Sequence, residues 1–187
     1  MGVLNSLGND LNRRFGELGK PAALWGLVRE YIGLGRRRRK EPVDSPIRLR
    51  KFLETRASFV AQTSLYGYLR TRAGMRYPEL FDDDVFVRSI NIAKWHIWLA
   101  CISDLSVYAG GLLVQRTSAP NEEVAQLMRG LVEEILSIAG SPEEADEEYV
   151  SHAERVRGRM AQCDWAEVTD DETAFSESPV ALVRWAP

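Results

Sequence analysis

The sequence predicts an all-α fold: a helical bundle of about four main helices preceded by an amphipathic, basic N-terminal extension. Three observations point there. Apolar residues recur every three or four positions along most of the chain, with no strand-rich region between them. Residues 85–114 are apolar nearly all round, the pattern of a helix at the centre of a bundle. Ser-Pro pairs and glycines, the start and stop signals of helices, punctuate the periodic stretches.

With 187 residues, 45% of them apolar and 27% charged, the chain can bury a core as one domain with an appendage. Three parts are expected: residues 1–43 as the extension, 44–163 as the bundle, and 164–187 as an acidic loop with an apolar C-terminal tail.

The extension opens with a stripe of Leu4, Leu7, Leu11, Phe15 and Leu18 at spacings of three and four. Gly19-Lys20-Pro21 ends it. A second stripe, Leu24, Leu27, Val28, Tyr31 and Ile32 with Trp25 beside it, runs out at Gly33-Leu34-Gly35. Five consecutive cations follow: Arg36, Arg37, Arg38, Arg39 and Lys40. Residues 41–46 read as a linker.

Ser45-Pro46 starts a long helix over 46–73, with basic flanks and an apolar series of Leu49, Phe52, Leu53, Phe59, Val60, Leu65, Tyr66, Tyr68 and Leu69. Gly74 to Glu79 reads as a turn. Asp82-Asp83-Asp84 precedes the central apolar helix, in which Gly110-Gly111 marks a kink or an end. The stretch around Pro120 starts the next helix, whose inner face is Val124, Leu127, Met128, Leu131, Val132, Ile135 and Leu136, and Gly140 ends it. Ser141-Pro142-Glu143-Glu144 has the form of a capping box with proline at the first helical position. Residues 164–178 read as acidic loop, and 180–185 as a short strand or arm. The chain stops on Pro187 directly after that apolar run, which leaves room for a longer natural chain.

Charge is divided unevenly. Residues 1–80 hold 16 Lys/Arg against 7 Asp/Glu, a net of +9; residues 81–187 hold 8 against 20, a net of −12. The total of −3 hides this split, which speaks to partners and orientation rather than to fold. The central helix has the length of a membrane span. Its internal Asp104 costs about 3 kcal/mol on an insertion scale where each Leu, Ile or Val returns about 0.3–0.6 kcal/mol, so a buried core helix is expected instead. A long basic block follows the apolar run at 21–34, which is the wrong charge order for an export signal. Two isolated cysteines, Cys101 and Cys163, give no disulfide framework and suit a reducing cytoplasm.

Enzymatic chemistry finds little support. The Asp triplet lacks the further spaced acids of a Mg²⁺–diphosphate site, so it is expected to cap a helix. Glu148 and His152 share a helix face, but a di-iron bundle needs Glu-x-x-His on two helices, and three residues before His96 stands Ala93. His96 is expected as a core histidine with one hydrogen bond. There is no Gly-x-Ser-x-Gly elbow. His96 and Asp104 lie eight residues apart, about 12 Å of helical rise, so they do not touch. Asp104 needs a cationic partner, expected from the 46–73 helix. No metal and no cofactor are expected.

Residues 52–86, "FLETRASFVAQTSLYGYLRTRAGMRYPELFDDDVF", resemble an uncharacterised family of bacterial helical proteins, some members of which are labelled esterase. The resemblance extends over residues 46–187 and implies a bacterial, cytoplasmic-side helical protein. The sequence departs from every esterase pattern tested, so that activity does not carry over.

The expected function is a non-enzymatic, membrane-peripheral binding or assembly subunit. Its N-terminal stripes and cations would sit on an anionic membrane surface or a membrane protein complex at the inner face of the membrane, and its acidic C-terminal half would meet a protein partner. One alternative is a hydrolase-like enzyme with a pocket in the bundle lined by Trp95, His96, Trp98 and Asp104. The other is a nucleic-acid-associated adaptor, with the cations on phosphates.

Overall fold

The computed structural model describes residues 42–169 and 171–187, so the expected extension, including both apolar stripes and the cations at 36–40, lies outside the described residues. The chain divides at Val43/Asp44, and the second unit, Asp44–Pro187, is the one described. The second unit is all-α: six α-helices and no strand among the described residues. These are α1 (Pro46–Ala73), α2 (Asp84–Arg116), α3 (Asn121–Ala139), α4 (Glu148–Gln162), α5 (Asp171–Ala174) and α6 (Ser178–Trp185), with a 3₁₀ segment over Gly74–Asp82.

Helix α1 begins where Ser45 accepts a hydrogen bond from the Arg48 amide and Pro46 occupies the first turn. It ends at Gly74, whose φ of 55° suits a residue without a Cβ. Its buried positions, Leu53, Ala57, Ala61, Leu65 and Leu69, form one seam against α2. Asp83 caps α2 by accepting from the Val85 and Phe86 amides, as the Asp triplet suggested.

Helix α2 is the axis of the unit and packs against all five other helices. It is long and apolar enough to cross a membrane, but 67% of its most apolar window is buried inside the bundle. Gly110-Gly111 does not end it, since it runs on to Arg116. The two glycines instead form a notch for the 163–169 segment. A Cβ on Gly110 would come within 2.1 Å of the Trp165 ring, and one on Gly111 within 2.7 Å of the Val168 side chain. Helix α3 buries the predicted inner face except Leu127, which is only half-buried, takes in Ala125 as well, and stops at Gly140.

Three expectations are corrected. Ser141 and Pro142 do not open a helix: the segment turns, and α4 starts only at Glu148. The N-cap residue Glu147 makes no side-chain cap; one residue earlier, Asp146 accepts from the Glu148 amide, and it also makes a tertiary contact described below. The apolar tail is a helix, α6, not a strand or arm, and it packs on α2. Inside the stretch expected to be loop, residues 171–174 form the single-turn helix α5.

Candidate functional site

The two polar residues singled out on the central helix, His96 and Asp104, are both fully buried. Two turns apart, they hold the two ends of one short element, α6.

At its N-terminal end, Asp104 Oδ1 accepts from Arg159 (2.6 Å) and from the Glu177 amide (3.2 Å), while Oδ2 accepts from the Ser178 amide (2.7 Å). Neither Glu177 nor Ser178 caps α6 with its own side chain, so Asp104 reaches across from α2 to satisfy the amides a helix start leaves open. Arg159 extends the network. Its guanidinium also donates to Ser103 Oγ, the Ala174 carbonyl and Ser176 Oγ, and it lies 3.5 Å from a Glu177 carboxylate oxygen. The expected partner from α1 is thus corrected. The cation comes from α4, which packs against α2 and presents Arg159 in its last turn.

At the other end, the Trp185 ring lies flat on the His96 ring, with centroids 3.6 Å apart and planes 2° apart. His96 makes two hydrogen bonds rather than the one expected: Nε2 with Asp146 Oδ1 (2.8 Å) and Nδ1 with His152 Nδ1 (2.9 Å). The His96 and His152 ring centroids are 5.2 Å apart with an interplanar angle of 16°, so the rings meet edge to edge. Both histidines are held below the usual imidazole range. Burial is the larger cause, offset at His96 by Asp146 and reinforced at His152 by His96, Arg155 and Arg184; His152 falls to about 4.

Trp95 and Trp98 pack edge to face at 5.7 Å, and Trp95 also meets Tyr149. The Trp98 indole donates to Ser58 Oγ on α1. Both rings are buried in the core, with Trp98 only 1% exposed. The structure brings His96 and Asp104 under the two ends of α6 but separates them from each other, and all four side chains are buried. A groove of about 570 Å³ opens nearby, lined by Val107, Arg155, Arg159, Cys163, Glu167 and Val168 among others; none of the four lines it. The Cys163 thiol on this groove is half-buried, whereas Cys101 is sealed in the core and burial pushes its thiol up to about 12. No group of three or more metal-ligating side chains is present among the described residues.

Sequence reasoning missed His152, Asp146, Arg159 and Trp185 as partners. The only signal in the sequence was the Glu148/His152 spacing, which indicates a helix face but not its neighbour.

No family model, curated protein or solved structure matches the chain. The resemblance of residues 52–86 therefore brings no activity or residue role to this site.

Proposed function

We propose that the protein is a non-enzymatic, membrane-peripheral docking or assembly subunit, held through its basic N-terminal part on an anionic membrane surface or on a membrane protein complex at the cytoplasmic face. The observation that carries this reading is the run of five cations at residues 36–40 behind two apolar stripes, in a chain of net charge −3. Apolar stripes enter an interface, and each cation near an anionic leaflet adds about 1 kcal/mol.

The helix that follows in the chain has the same character. On α1, Arg48, Lys51, Arg56, Arg70 and Arg72 are exposed, and so are Ile47 (74%), Phe52 and Val60. The Arg56 guanidinium lies 5.6 Å from the centroid of the Phe52 ring, which keeps cation and apolar surface together. The acidic remainder would be repelled by the same leaflet and is left to meet a protein partner.

The hydrolase reading is disfavoured because Trp95, His96, Trp98 and Asp104 are buried and occupied by neighbours rather than open to a substrate. The nucleic-acid reading is disfavoured because Trp25 and Tyr31 lie in or beside apolar stripes, where they suit lipid better than bases. Flotation with vesicles containing phosphatidylserine tests the proposal. The full chain should float at low salt, and replacing residues 36–39 by glutamine should abolish it. Failure to float, or equal flotation of the variant, ends the membrane reading. Binding to duplex DNA with a steep salt dependence would transfer the cations to nucleic acid.

A further inference from the structure

The contact between His96 and His152 imposes a proton count. Asp146 Oδ1 faces His96 Nε2 at 2.8 Å, so Nε2 carries the hydrogen. A neutral His96 then has a bare Nδ1. Since this atom meets His152 Nδ1 at 2.9 Å, the hydrogen between them belongs to His152, and His152 Nε2 is bare. A first added proton enters at His152 Nε2 without breaking a bond. It places a cation next to Arg155 of α4 and Arg184 of α6, with Asp146 of the preceding turn and Glu148 of α4 as the opposing charges. A second proton has only His96 Nδ1 to go to. Two N–H groups would then point at each other across 2.9 Å, and the rings must separate.

What rests on those rings is α6. At eight residues it is too short to hold as a helix by itself. Of its residues only Ala181 is buried, and Val180 and Val183 face solvent. Its N-terminal end is fixed by Asp104, and its C-terminal end by Trp185 lying on His96 and by an exposed ion pair between Arg184 and Glu148 at 3.3 Å, which is worth little by comparison. We infer that the His96–His152 pair is an acid-released latch: while the facing Nδ1 atoms share one hydrogen the Trp185 end of α6 is seated, and a second proton on the pair parts the rings and frees it. Asp104 and Arg159 keep the other end in place, so α6 swings about Ser178 rather than leaving. This device goes beyond the docking function and does not depend on it.

Each proton that the closed state excludes and the open state accepts weakens closure about tenfold per pH unit below the ordinary imidazole value of about 6.5. The test follows the indole N–H resonances of Trp185 and of the core residue Trp98 in the full chain, from pH 7.5 to 4.5. Trp185 should leave its ring-shifted position, with an open-to-closed ratio rising at least about tenfold per unit below about pH 6.5, while Trp98 stays. In His152→Gln the amide can turn either its oxygen or its NH₂ to His96, so the clash is gone and Trp185 should remain seated throughout. The latch is overturned if Trp185 and Trp98 move together, if neither moves down to pH 4.5, or if His152→Gln releases Trp185 with the wild-type pH dependence. If that variant does not fold, the comparison of Trp185 with Trp98 in the unaltered chain decides alone.

Discussion

At one end α6 is held by a buried carboxylate that accepts from a guanidinium and two backbone amides. Two turns back along α2, the other end is held by a buried imidazole whose contact with its neighbour depends on where one hydrogen sits. Both side chains are fully buried on the same helix. The first meets the cost of burying a polar group by gathering partners around a charge, and the second by avoiding charge. The Asp104 end therefore fails when a partner is removed, and the His96 end when the histidine pair takes up a second proton.

The largest effect should come from the first anchor. Asp104→Ala leaves Arg159 partly buried with only the longer Glu177 contact as counter-charge, and two amides at the start of α6 unsatisfied, at a cost of about 3–5 kcal/mol by urea denaturation. A loss under about 1 kcal/mol would mean that the remaining Arg159 contacts hold that end unaided.

Acid should act on the second anchor. The folded-state value of His152, about 4, lies below the unfolded value of about 6.5. Its contribution to stability is therefore complete above about pH 6.5 and is lost as pH falls towards 4, by a little over 1 kcal/mol per unit and about 3 kcal/mol in all. His152→Gln should remove this part of the pH dependence of the denaturation midpoint, whereas Asp104→Ala should keep it.

A smaller loss separates packing from charge at the Asp104 end. Gly110→Ala drives a methyl group into the Trp165 ring without touching a polar contact, and should cost about 2 kcal/mol in thermal unfolding with no change in pH dependence. Asp83→Ala removes only the cap of α2, far from both anchors. It should cost about 1 kcal/mol and give a yardstick for an ordinary local hydrogen bond.

Much of the bundle was legible because its signals are local. Ser45-Pro46 and Gly74 bound α1, Asp83 caps α2, and Gly140 ends α3, each through contacts within a few residues. The central helix declared itself by having no polar face. The anchors were not legible, because they depend on which helices become neighbours. Asp104 meets Arg159 across 55 positions, and His96 meets His152 across 56. The same limit explains the two misread segments. The apolar tail is helical because Asp104 caps it from another helix, which no periodicity in residues 178–185 records. The capping pattern at 141–144 goes unused because the first amide of α4 bonds to Asp146, which is tied to His96. Gly110-Gly111 gives no local sign of whether it breaks a helix or admits a neighbour, and the Trp165 ring decides it.

The two cysteines make the molecule self-reporting. Cys101 is sealed beneath the packed helices, whereas Cys163 borders the open groove. An alkylating reagent added to the native chain should take up one equivalent, and after denaturation two. A fluorophore coupled through that single accessible thiol would stand beside the groove that Arg159 also lines, giving an optical marker placed there without altering any residue.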